Sequence, residues 1–235
     1  MNAIREELRK LSIDWTKLGI YITELCRTLP NPLHKDHINF PSYNAIVPFG
    51  IIHGDLKAQN ILLIDRSIII ESYPDIEVIG PENSRRPRDV CLIDYANIKQ
   101  ANLFSDLADL ETSIKFQLLG METIKWEELI NLEEHILNTL APQATTKGVR
   151  PIQLPRELQI ALSSIVAIRE TAKKICEKDQ RIEPLSFFVH LYVHTLKNII
   201  HKDKTPAQKL YAYISAALIL EKQLAKRRIN GPDSY

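Results

Sequence analysis

Apolar residues recur along this chain with two different periods. In 14–29 (DWTKLGIYITELCRTL), Leu18, Ile22, Leu25 and Leu29 fall three or four positions apart, the spacing of one helical face. Asp14 is placed to cap its start, and Pro30-Asn31-Pro32 stops it. Residues 30–44 read as loop. The pattern then changes. Ile51-Ile52, Ile61–Ile64, Ile68–Ile70 and Val90–Ile93 are short, β-branched-rich runs bounded by polar or turn residues, and they predict short buried strands. Residues 71–89 carry Pro74, Pro81 and Pro87 with Arg85, Arg86 and Arg88, and read as an exposed loop insertion with a minor strand at 76–79. From 104 onward the period is helical, with candidates at 104–120, 124–140, 154–178, 184–202 and 206–228. A linker at 141–151 separates the second from the third, and a flexible tail is expected at 229–235. A helix, a short β segment and a long helical run make an α+β order in one domain spanning 1–235, not an alternating βαβ one.

Composition narrows the function classes. With 45% apolar and 25% charged residues the chain has the means to bury a core. No apolar run approaches the ~18–20 residues of a membrane span, and the charged start MNAIREELRK is not a secretion signal. A net charge of +1 offers no argument for nucleic acid or membrane. Three scattered cysteines, Cys26, Cys91 and Cys176, support neither a disulfide framework nor a cysteine zinc site, and fit a reducing cytoplasm. There are only 7 glycines, where average usage would give roughly 16. Their positions spell neither GxGxxG nor GxxxxGK[ST], which excludes a Rossmann dinucleotide site and a P-loop in their standard forms.

The chemistry-bearing stretch is Ile52-His53-Gly54-Asp55-Leu56-Lys57-Ala58-Gln59-Asn60-Ile61-Leu62-Leu63, followed by Leu92-Ile93-Asp94-Tyr95-Ala96 and Asp106-Leu107-Ala108. Asp55 and Asn60 flank a polar loop between two apolar strands, and Asp94 ends another strand. All three can reach one point. Carboxylate and amide oxygens are hard ligands suited to Mg²⁺, which keeps waters and substrate phosphates in its shell. A carboxylate not consumed by metal can orient a hydroxyl and accept its proton. Lys57 places a point charge where a transferring phosphoryl would sit. Asp106, in the first turn of a helix, also suits the helix dipole.

The pattern H-G-D-L-x-x-x-N-I-L, then I-D-Y, then D-L-A, resembles the protein-kinase-like superfamily, in its aminoglycoside and choline phosphotransferase branch. IDYAN with DLADLE also resembles the bacterial kinase-like modules called ternary complex-associated domains, found in multidomain and conflict-system proteins. The resemblance implies a mainly helical kinase-like C-terminal lobe with a few short strands around the catalytic loop. It implies Asp55 as base, His53 as holder of the catalytic loop, and Lys57 as electrostatic stabiliser. Asn60 and Asp94 would be the Mg²⁺ and nucleotide ligands, and Asp106 a structural residue. ATP and Mg²⁺ are the implied cofactors. Tyr95-Ala96 in place of Phe-Gly argues against a protein-kinase type switch, and the lack of an A-P-E motif argues against a protein-kinase substrate platform.

A complete enzyme of this kind also needs an N-terminal lobe with a phosphate-covering loop and a lysine on its third strand. Five strands and a helix need roughly 60 residues at least, whereas 52 precede His53 and 14–29 already read as helix. Lys10, Lys17 and Lys35 lie in helical or loop contexts. The N-terminal lobe is therefore expected to be absent or severely reduced. Two readings follow. One is the C-lobe of a larger phosphotransferase or complex that transfers a phosphoryl group to a hydroxyl. The other is an inactive kinase-like binding or scaffold module. The partners expected are a nucleotide and a protein or lobe that supplies the covering loop.

Other constellations read more blandly. His190, His194 and His201 share a helical face but lack HExxH, and read as a packing or surface stripe. Residues 202–228 carry seven Lys/Arg against two Asp/Glu, which reads as a solvated face complementing the acidic 104–134 and not as a nucleic-acid interface. Arg85, Arg86 and Arg88 read as a charged loop, and Trp15 and Trp126 as packing anchors.

Overall fold

The computed structural model describes residue 9 and residues 20–34, 46–65, 88–121, 123–139 and 154–224. The strands expected at 68–70 and 76–79, the linker, the tail, Trp15, Arg85 and Arg86 lie outside the described residues. Helix α1 spans Ile20–Thr28. Four short strands follow: β1 (Phe49–Ile52), β2 (Ile61–Asp65), β3 (Arg88–Leu92) and β4 (Lys99–Asn102). The loop predicted for 71–89 thus ends before Arg88. Helices α2 (Leu103–Ser113), α3 (Trp126–Thr139), α4 (Arg156–Lys178), α5 (Pro184–Ile200) and α6 (Pro206–Ile219) complete the described fold. Both α2 and α6 run on into a five-residue π-helical turn, Ile114–Leu118 and Leu220–Leu224. The described residues are thus mainly helical, with two small antiparallel sheets. None of the described helices is long and apolar enough to cross a membrane.

Strand β4 reads Lys-Gln-Ala-Asn, and periodicity had no apolar signal to find there. It exists because β1 pairs with it antiparallel, Phe49 opposite Asn102 and Ile52 opposite Lys99. In the same way β2 pairs with β3, Ile61 opposite Leu92 and Asp65 opposite Arg88. The pairing is nested: the inner strands β2 and β3 join each other, and so do the outer strands β1 and β4.

The core gathers where the helices meet. Ile22, Cys26 and Leu29 bury one side of α1, as its spacing requires. The loop beyond it is pinned by two core tyrosines: Tyr192 donates to Pro32 O (2.8 Å) and Tyr213 to Asn31 Oδ1 (3.3 Å). Trp126 packs on the core, as expected of an anchor. Helix α6 departs from the expected solvated basic face. Every residue from Leu210 to Leu220 is buried, and the small Ala212, Ala216 and Ala217 let neighbours approach closely. Its described lysines flank this span, and Lys222 reaches Glu134 of the acidic segment at 3.5 Å.

Four charged side chains are sealed in this helical core. Arg169 of α4 donates from Nε and Nη2 to both carboxylate oxygens of Glu111, at 3.0 and 2.7 Å. Lys115 lies 2.9 Å from Glu111 and 3.1 Å from Glu133. Two carboxylates and two cations balance, which is the condition for burying charge at all. Burial alone would raise the Glu111 carboxyl, but Arg169 and Lys115 outweigh it and hold the pKa at about 2, below its ordinary 4.5. A carboxylate depressed in the folded state gives stability that is complete above its unfolded value and is lost as pH falls through the folded one. Unfolding free energy is therefore expected to drop between pH 4.5 and about 2, and Glu111→Gln, less stable throughout, should show a shallower drop. Denaturant titrations at stepped pH check this.

Candidate functional site

The nested pairing creates the site. Because β1 joins β4 and β2 joins β3, the β1–β2 connection and the β3–β4 connection must lie against each other. The first carries His53, Asp55, Lys57 and Asn60; the second carries Asp94. Direct contacts close the gap. Ile93 N donates to Asn60 O at 3.0 Å. His53 Nε2 donates to Ile93 O at 2.8 Å, which assigns the proton to Nε2 because a carbonyl only accepts. The buried His53 ring also packs beside Tyr95, centroids 5.3 Å apart. Gly54 has φ +80, and a Cβ there would stand 2.3 Å from Asn97 O on the second connection, so no other residue fits without moving that backbone.

Helix α2 grips the first connection at both ends. Its Asp106 carboxylate accepts from His53 N at 2.6 Å and Gly54 N at 2.9 Å. Immediately before the π segment, Ser113 Oγ accepts from Ala58 N at 2.9 Å while donating to Leu110 O. Asn102 caps the helix by accepting from Phe104 N. Ser113 was invisible to motif reading, because a serine at a helix end carries no signal until its partner is known.

Asp55 and Lys57 form an ion pair at 2.5 Å, half-exposed at the surface of the loop. The amide nitrogen of Asn60 donates to Asp55 O at 2.8 Å and lies 3.5 Å from its carboxylate. That leaves the Asn60 amide oxygen as the atom with which this side chain can meet a cation. Asp94 is exposed and adopts a left-handed backbone (φ 63, ψ 57), a conformation aspartate tolerates better than most residues. Among the described residues no group of three His, Cys, Asp or Glu side chains is placed to hold a metal ion. An amide oxygen and one carboxylate do fit Mg²⁺ that draws its remaining ligands from water and phosphate.

The histidine stripe on α5 is engaged in packing. His190 Nε2 lies 2.6 Å from Asn102 Nδ2. His194 Nδ1 hydrogen-bonds the Asp109 carboxylate, with Ser105 Oγ at 3.3 Å from Nε2. Both tie α5 to α2, and His201 is exposed beyond them.

The sequence model of ternary complex associated domain 9 matches residues 9–198. The chain belongs to this family. No curated protein and no solved structure matches it. In this ternary complex associated domain, the matched span contains both nested connections, all of α2 and nearly all of α5. Helix α6 and the turn before it lie outside the match.

Proposed function

We propose that this domain is the kinase-like C-terminal lobe of an ATP- and Mg²⁺-dependent phosphotransferase that phosphorylates a hydroxyl. It would act within a larger protein or complex that contributes the nucleotide-covering element. The observation that carries the reading is the nesting of the His53–Asn60 and Ile93–Asn97 connections, with Asp106 clamping the first. Asp55 would accept the hydroxyl proton and Lys57 would face the transferring group. Asn60 and Asp94 would hold Mg²⁺, whose charge, when bound, offsets that of the phosphates. His53 and Asp106 position the loop without touching substrate. The test is Mg·ATP binding by calorimetry and phosphoryl release, in the chain and in its parent protein. Asp94→Ala is expected to abolish Mg·ATP binding, and Asp55→Ala to lower turnover by about 10²–10⁴-fold with binding retained. Binding that ignores Asp94→Ala, or none in either protein, would sink the proposal.

A second reading is a kinase-like binding module. Phe49, Ile51 and Ile98 are 68%, 72% and 50% exposed. Phe49 and Ile51 share one face of β1, and the family's description is itself of association. That reading expects a stable protein complex indifferent to Asp55→Ala and Asp94→Ala.

A further inference from the structure

We infer that Lys57 and Lys204 together form a cationic clasp for a phosphate-class oxyanion at the Asp55 end of the site. The contacts between α2 and α5 advance along both helices in the same direction. Asn102 meets His190, and Ser105 and Asp109 meet His194 one turn further on. The two helices therefore finish at the same end of the molecule. There α2 presents Ser113, which holds Ala58, the neighbour of Lys57. There too α5 stops at Ile200 and the chain turns through 201–205 into α6.

Lys204 sits in that turn on fixed backbone. Its N–H donates to His201 O, and the next residue opens a reciprocal cap, Thr205 N to Gln208 Oε1 (2.9 Å) and Gln208 N to Thr205 Oγ1 (3.2 Å). Its side chain is partly buried, and among the described residues no carboxylate lies within ion-pair distance of it. Its ammonium is pushed below the ordinary lysine value, first by burial and then by repulsion from Lys57, against the weaker pull of Asp203.

Two ammonium groups at one end of the helix pair, repelling each other and one of them partly desolvated and lacking an ion partner, are unfavourable until an anion joins them. Asp55 already pairs with Lys57, so the surplus positive charge is that of Lys204. The start of α6 adds the positive end of its dipole. A phosphate oxygen between the two lysines would lie beside the Asp55 carboxylate. Within a phosphotransferase, that is where either the donor's terminal phosphate or a phosphate on the acceptor belongs. The clasp takes its role in a reaction from the function proposed above, but its binding property is testable separately.

The full chain would be titrated calorimetrically with tripolyphosphate, with Mg·ATP and with glycerol 3-phosphate. Lys204→Gln is expected to weaken binding of at least one probe by about tenfold or more, the scale of one charge-assisted contact, with Lys204→Arg close to wild type. Loss on tripolyphosphate and Mg·ATP assigns the clasp to the donor; loss on glycerol 3-phosphate assigns it to the acceptor. Either outcome supports it. Tripolyphosphate binding that needs Lys204, while Mg·ATP binds neither this chain nor its parent protein, would keep the clasp and overturn the phosphotransferase reading. A folded Lys204→Gln chain that binds every probe as tightly as wild type, or a wild-type chain that binds none, would overturn the clasp.

Discussion

Arg169→Met is expected to lower the unfolding free energy by about 3–5 kcal/mol, the scale for breaking a buried ion pair by removing one partner. The substitution fills much of the same space and removes only the charge and its donors. Glu111 then keeps Lys115 alone, and Lys115 must also serve Glu133, so one negative charge is left without a partner in a region closed to water. The Ile136 carbonyl, which accepts from Arg169 Nη1 at 3.2 Å, loses its donor as well. The cation over the Phe188 face, 5.4 Å from the ring centroid, disappears too. Urea unfolding monitored by circular dichroism checks the magnitude. The double variant Glu111→Gln/Arg169→Met is expected to recover part of the loss, because it removes the stranded charge. If the single and double variants are equally unstable, charge balance is not what holds this cluster.

Asp106→Asn is expected to cost about 2–4 kcal/mol and to release the His53–Asn60 connection from α2, although the residue is nearly isosteric. Both carboxylate oxygens accept a backbone N–H, from His53 and from Gly54. An amide offers one acceptor and sets its NH₂ against the other N–H, donor facing donor. Helix α2 also loses an acid from its first turn, where the dipole favours one. The loop carrying Asp55, Lys57 and Asn60 then hangs from its remaining ties, Ser113 to Ala58, His53 to Ile93 and Asn60 to Ile93. Hydrogen exchange of the His53 and Gly54 amides is expected to accelerate more than that of the β2–β3 pairs. Mg·ATP binding is expected to weaken alongside. Unchanged protection at those two amides would show that the carboxylate is not what fixes the loop.

Much of the architecture was legible because it repeats locally. The apolar spacing in 154–178 and 184–202 anticipated α4 and α5 within two residues at their ends. The β-branched runs marked β1, β2 and β3, although β1 begins two residues before its run and β3 begins inside the segment assigned to a loop. Strand β4 was not legible, since a polar strand is made by its partner and not by its own composition. Leu210, Ile214, Ala217, Leu218, Leu220 and Leu224 recur at helical spacing, and all six are buried. What periodicity missed is that the opposite side of α6 is buried too, so that its described basic residues stand at the ends and do not form a face.

The sequence by itself determined the main helices, the three apolar strands and which residues stand on the two loops of the site. Those properties depend on neighbours within a few positions. Tertiary structure alone decided that the two loops meet, that Asp106 reaches back over 53 positions to hold the first of them, and that Glu111 pairs with Arg169 across 58. Contacts at such separations follow from strand pairing and helix packing, which close long loops only when the whole core forms. No local pattern of apolar and polar residues encodes which distant partner a buried polar side chain will find.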